Sequence, residues 1–166
     1  MEILDIVDNK DCVIGCAPRE EIKERLLCHR IVHILIFNEQ EEMALQLSSQ
    51  NKAFCPGHWG TAVGGHVKSG ENYEQAALRE LEEELGVKME FQFFQKDYFE
   101  NIWGLPKFIV TFTAIFNGPF KVNPEELEKI EFFNLSKIQE LIDNKEKFHP
   151  ELLFLLEKHY GIKKSK

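Results

Sequence analysis

Basic residues are scarce in this 166-residue chain: 20 Lys and Arg stand against 28 Asp and Glu, for a net charge of −8. That balance excludes a sequence-independent nucleic-acid binder, which needs a basic face to neutralise phosphates. An anionic small molecule would then need a bridging cation rather than a basic patch. No apolar run approaches the roughly 18 residues of a membrane span, so no membrane partner is expected. The opening MEILDIVDNKD is acidic where a signal peptide would be basic and then apolar, and a cytoplasmic location is expected. The four cysteines, Cys12, Cys16, Cys28 and Cys55, show no Cys-x-x-Cys pairing, which speaks against a zinc site. A chain of this size needs no disulfide framework, so reduced thiols are expected, with Cys12 and Cys16 as small buried or surface side chains. Repeats, linkers and low-complexity segments are absent apart from a basic tail from Lys163.

What is present fits one domain over residues 1–166, with 43% hydrophobic and 29% charged residues, enough to bury a core. Residues 3–8 and 12–15 flank the turn-rich Asn9-Lys10-Asp11 and read as a hairpin. Pro18 opens a short helix, completing an N-terminal unit over 1–28. RIVHILIF (30–37) is β-branched and apolar on both faces, a buried central strand. MALQL (43–47), residues 61–64, 88–99, 107–116 and 131–134 are further strand candidates, with a loop from Ser48 to Gly60. Ser136 caps a helix to about Asp143, and Glu151 to Tyr160 forms another, giving C-terminal helices over 136–160. The alternation predicts an α/β fold, a mixed sheet with helices on both faces. Phe91, Phe93, Phe108, Phe112 and Phe116 are expected in its core.

The rest is organised around residues 65–87, GHVKSGENYEQAALRELEEELGV. Glu74 to Leu85 is rich in strong helix formers, and Gly86 supplies the stop. At 100° per residue Glu80, Glu83 and Glu84 fall on one face, within about 100° of one another. Leu78, Leu81 and Leu85 form an adjacent apolar stripe. Like charges at this spacing cost roughly 0.2–0.5 kcal/mol per pair, a repulsion that a bound Mg²⁺ or Mn²⁺ offsets. Taken alone, Glu-x-x-Glu-Glu fits a solvated acidic face better than a metal site. The loop before it decides. Gly65, Glu71, Arg79, Glu80, Leu81, Glu83, Glu84, Gly86 and Val87 fill every restricted position of G-x5-E-x7-R-E-U-x-E-E-x-G-U, where U is aliphatic. A chance match at one start site is on the order of 10⁻⁹.

This pattern is the Nudix box, and the chain resembles the Nudix hydrolases. The resemblance implies an α/β/α sandwich around a mixed sheet, and hydrolysis of a phosphoanhydride by water attack at phosphorus. It implies Mg²⁺ or Mn²⁺ held by Glu80, Glu83 and Glu84 with the Gly65 carbonyl, and a Glu71–Arg79 pair holding loop to helix. Glu83, Glu126, Arg79 and Glu71 are then the candidate catalytic residues. For the proton acceptor, Glu126 in Asn123-Pro124-Glu125-Glu126 comes first and Glu125 second, unless both merely cap the turn. His29-Arg30, Lys52, Pro56-Gly57 and Gly64-Gly65-His66-Val67 resemble one branch, which joins small bacterial Nudix hydrolases to the type I isopentenyl-diphosphate isomerases. Two positions depart from it. Gln46 is followed by Leu47-Ser48 where relatives carry a basic pair, and Gly64 stands where the isomerases carry a catalytic cysteine. His29 and His66 occupy positions resembling isomerase metal ligands, although a lone histidine is more often a hydrogen-bonded structural or surface residue. His58 and Trp59 could line a base or prenyl pocket or simply pack. The expected substrate is a small diphosphate compound, a nucleoside di- or triphosphate or derivative. Two alternatives stand beside it: an isopentenyl-diphosphate isomerase and a non-catalytic nucleotide-binding domain. Neither leaving group nor oligomeric state leaves a signal in the sequence.

Overall fold

The computed structural model describes residues 1–164; Ser165 and Lys166, the end of the basic tail, lie outside the described residues. The elements run β1 (Ile3–Val7), β2 (Val13–Pro18), α1 (Arg19–Glu24), β3 (His29–Phe37), β4 (Met43–Ser48), β5 (Trp59–Thr61) and β6 (Val63–His66). They continue with α2 (Tyr73–Leu85), β7 (Gln92–Glu100), β8 (Pro106–Ile115), β9 (Leu127–Phe133), α3 (Leu135–Asp143) and α4 (Pro150–Tyr160). β1 and β2 form their own antiparallel hairpin, and the other strands make one mixed sheet in the order β5-β4-β3-β8-β7.

β3 is the axis, as its two-sided apolar pattern predicts. It runs parallel to β8 from His29↔Lys107 to Phe37↔Ile115. Alternate residues serve opposite layers. Val32, Ile34 and Ile36 meet Ala76, Ala77, Leu81 and Leu85 of α2, while Leu35 lies in the core with Ile138 and Ile142 of α3 and Leu152 and Leu156 of α4. This is the α/β/α sandwich.

The other edge of β3 decides where a site can form. Near its end β3 pairs with β4 only at Phe37↔Met43, whereas Ile31 to Ile34 pair with β6. β4 pairs instead with β5 and β9. The sheet therefore parts between β3–β6 and β4–β5. A cleft of about 1030 Å³ is lined from both sides of that parting, by His29, Ile31 and His33, by Gln46 and Ser48, and by Gly64, Gly65 and His66.

Several elements depart from the sequence pattern. β9 starts at Leu127 rather than 131, because pairing from Met43↔Phe133 to Ser48↔Leu127 supplies backbone partners to a charged, weakly alternating stretch. β7 starts at Gln92 rather than 88; Val87, Met89 and Phe91 pack on the core without joining a ladder. β5 begins at Trp59, inside the expected loop. Asn134, not Ser136, caps α3, accepting from Lys137 N–H at 2.8 Å. Leu78 is 52% exposed, its place in the stripe taken by Ala76 and Ala77. Phe112 is buried, but Phe93 is 61% exposed on the edge strand β7.

Candidate active site

Asn72 and Gln75 fix the start of α2 by satisfying each other's backbone. Gln75 N–H donates to Asn72 Oδ1 at 2.8 Å, and Asn72 N–H donates to Gln75 Oε1 at 2.9 Å. Gly86 ends the helix in the left-handed region at φ 60°, where a Cβ would be strained. The loop ahead of α2 is anchored to the hairpin: Asp5 accepts from the Ser69 hydroxyl at 2.6 Å and from Gly70 N–H at 3.3 Å.

Arg79 ties this loop to the helix. Its Nε and Nη2 donate to the two Glu71 oxygens at 2.8 and 2.9 Å, and Nη2 also donates to the His66 carbonyl at 2.9 Å. Nη1 donates to Glu80 Oε1 at 2.6 Å and to Glu83 Oε2 at 3.3 Å. One planar guanidinium thus spans two backbone segments and three carboxylates, which a lysine could not do. The Arg79 hydrogen bonds hold the Glu71 carboxyl below its usual range.

Helical spacing separates the box glutamates by environment. Ala76, Glu80 and Glu84 follow one another at four-residue intervals on the side turned to the sheet. Glu80 is buried, and its carboxylate lies so close to Gly65 that a Cβ there would sit 2.2 Å from Oε1. Burial raises the Glu80 pKa; burial, with Glu80 adding, pushes Glu84 up to about 8. Glu84 Oε2 accepts from Gly64 N–H at 3.3 Å. Glu83 is exposed and turned to Arg79 and Lys68. Among the described residues no group of three or more His, Cys, Asp or Glu is gathered closely enough to hold a metal ion as it stands; Arg79 Nη1 occupies the space between Glu80 and Glu83.

The donor set nonetheless fits a hard divalent cation. Glu80 and Glu84 are crowded carboxylates whose charged forms the protein alone disfavours, and carboxylate and backbone oxygens are the ligands such ions take. Linkage gives the sign. The raised Glu84 pKa makes metal-free stability fall as pH climbs from the ordinary carboxylate range, 4.5, toward about 8. A cation that favours the ionised form opposes that loss.

Glu126 also lines the cleft, 3.8 Å from Lys52 Nζ, and its charge adds to the rise at Glu84. Glu125 is not among the lining residues; its N–H donates to Asn123 Oδ1 at 3.1 Å within the turn. His29 and His66 face each other with ring centroids 5.6 Å apart. Burial, helped by Lys107, pushes His29 down to about 4, and burial with Arg19 holds His66 well below its ordinary value. His58 lines the cleft, whereas Trp59 is buried edge-on against Phe133.

Sequence reading passed over His33, Lys107 and Glu151. Glu151 looks like an ordinary first-turn acid of α4, yet it is buried with Lys107 Nζ 2.6 Å from Oε1 and His33 Nε2 3.0 Å from Oε2. The available signal was a lone Lys and a lone His inside the apolar strands KFIVTFTAIF and RIVHILIF, where a buried charge needs a partner.

Comparison with known proteins decides the family. A model of the NUDIX domain matches residues 28–156. The chain belongs to the Nudix family. The Nudix chain is 36% identical over 131 residues to an uncharacterised Nudix hydrolase, PA4841, of Pseudomonas aeruginosa, covering 79% of this chain and 78% of that protein. It is 28% identical over 157 residues to isopentenyl-diphosphate Delta-isomerase 1 of Photorhabdus laumondii, covering 89% and 88%. The crystal structure of DR0079 from Deinococcus radiodurans superposes with a TM-score of 0.83 at 26% identity, covering 96% of this chain and 99% of that one. As a family, Nudix hydrolases need divalent metal ions, in keeping with the oxygen donors of α2.

Proposed function

We propose that this Nudix hydrolase cleaves the phosphoanhydride of a small diphosphate compound, a nucleoside di- or triphosphate or derivative, with Mg²⁺ or Mn²⁺. The carrying observation is the pair of crowded glutamates, Glu80 and Glu84, packed against Gly64 and Gly65 in the sheet's parting. Glu80, Glu83 and Glu84, with the Gly65 carbonyl, would hold the cation, which supplies neutralisation of phosphate oxygens and a more acidic water. Lys52 and Lys68 line the same mouth and meet the remaining phosphate charge. Arg79 and Glu71 keep loop and helix in register. Glu126 takes the proton of the attacking water.

Two substitutions test these roles. Arg79→Lys is expected to weaken Mn²⁺ binding and turnover by about 10- to 100-fold, the usual cost of removing a residue that orients ligands. A Mn²⁺ titration and steady-state rates equal to wild type would remove Arg79 from that role. Glu126→Gln is expected to flatten the acid limb of the pH–rate profile. An unchanged limb moves the role to a box glutamate, with Glu84, whose carboxyl is pushed up to about 8, next in line.

The isomerase reading needs an acid and a base flanking a hydrocarbon. At residue 64 a Cβ would lie 2.6 Å from His33 Nδ1, so a cysteine there collides with a ring held at both nitrogens. Cys55 lines the cleft, but burial pushes its thiol up, away from the thiolate. The intact box disfavours a purely binding domain. One preparation assayed with Mg²⁺ and Mn²⁺ is expected to release phosphate or pyrophosphate from at least one nucleotide and to give no isopentenyl-to-dimethylallyl conversion. Isomerase turnover near 1 s⁻¹, about the low end for ordinary enzymes, without phosphate release from any nucleotide would reverse this reading.

A further inference from the structure

Beyond the box helix, the cleft reaches a second set of buried polar side chains that hydrolysis itself does not use. Glu151, in the first turn of α4, accepts from Lys107 Nζ at 2.6 Å and from His33 Nε2 at 3.0 Å. On the other side of the ring, His33 Nδ1 lies 2.7 Å from Thr61 Oγ1. The Thr61 hydroxyl donates to the Val63 carbonyl at 2.9 Å. The Thr61 oxygen thus bridges the His33 ring and the Val63 carbonyl. The Glu151 carboxylate can only accept, so the ring donates to it through Nε2–H. The contacts run without a break from Glu151 through the His33 ring and Thr61 to the Val63 carbonyl.

The chain ends on backbone that touches the box glutamates. The His33 ring presses on Gly64, where a Cβ would lie 2.6 Å from Nδ1. Gly64 N–H donates to Glu84 at 3.3 Å, and Gly65 lies against Glu80. Val63 to Gly65 is thus held between His33 and Thr61 on one side and Glu80 and Glu84 on the other. β6 is paired to β3 from Ile31↔His66 to Ile34↔Val63, and these side-chain contacts add to that ladder.

We propose that Glu151, acting through His33 and Thr61, is a positioning residue that sets the Val63–Gly65 backbone against Glu80 and Glu84. Its catalytic consequence rests on the hydrolytic reading above; its structural consequence does not. Thr61→Val keeps the side-chain shape and removes the hydroxyl. In the metal-free protein it is expected to shift the Gly64 and Gly65 amide resonances in ¹H–¹⁵N spectra. In the loaded enzyme it is expected to lower kcat about 10-fold or more, with KM within about 2-fold, the magnitude typical of groups behind the ligands. Thr61→Ser, which keeps the hydroxyl, restores both readouts. Glu151→Gln, examined under conditions where it is folded, is expected to move the same two amides. Wild-type amide positions in Thr61→Val overturn the positioning role, as does a kcat loss that Thr61→Ser fails to restore. If the wild type hydrolyses no diphosphate compound, the hydrolytic reading falls alone, and the metal-free amide shifts still decide the positioning.

Discussion

Replacing Glu83 with Gln is expected to lower turnover by at least about 10²-fold at saturating Mg²⁺, a loss of about 2.7 kcal/mol in transition-state stabilisation. The substitution keeps helix propensity and side-chain size and removes one anionic oxygen donor. Its structural cost is small because Glu83 is exposed, and its partners are the surface contacts to Arg79 at 3.3 Å and Lys68 at 3.9 Å. Such exposed pairs contribute about 0–1 kcal/mol. Against that loss stands relief of repulsion from Glu80, whose rise in pKa includes the Glu83 charge. The metal-free melting temperature should therefore stay close to wild type while activity collapses. Steady-state rates over a Mg²⁺ titration separate the possibilities. Full turnover in the variant at saturating metal would remove Glu83 from the cation site.

Glu151→Gln is expected to destabilise the fold by about 3–5 kcal/mol, the cost of leaving buried charge without its partner. Lys107 and His33 are both buried and both point at Glu151, so removing its charge leaves the Lys107 ammonium without its anionic partner. Against a typical stability of about 5–15 kcal/mol this is a large share. Urea unfolding at neutral pH measures it; a loss below about 1 kcal/mol would mean that water reaches these groups. The double variant Glu151→Gln with Lys107→Met should lose less than the single, since one stranded charge is gone. The pH dependence has a definite sign. Burial alone would raise the Glu151 carboxyl, but the His33 hydrogen bond and Lys107 hold it well below 4.5. Its contribution is then present above about 4.5 and fades as pH falls through the lower folded value. Wild type should lose more stability than the variant across that acid window.

By itself the sequence determined the box helix and the carboxylates it gathers. The spacing of Glu80, Glu83 and Glu84, the Gly86 stop and the loop from Gly65 to Glu71 are local facts, and periodicity reads local facts well. The central strand was equally legible, because a strand buried on both faces is apolar throughout. Tertiary structure decided the rest. Leu78, in the predicted stripe, faces out while Glu80 faces in, because packing on β3 sets which side of α2 is buried. β9 exists through its pairing with β4, not through its own weak pattern. The parting of the sheet arises from β3 changing partner between β6 and β4, a pairing that no single strand encodes. Glu151, His33, Lys107 and Thr61 come from four separate elements, up to 118 positions apart in the Glu151–His33 bond. Local spacing carries no trace of a bond over that distance. Its only mark is a lone polar residue in an apolar run, whose partner appears when the chain folds.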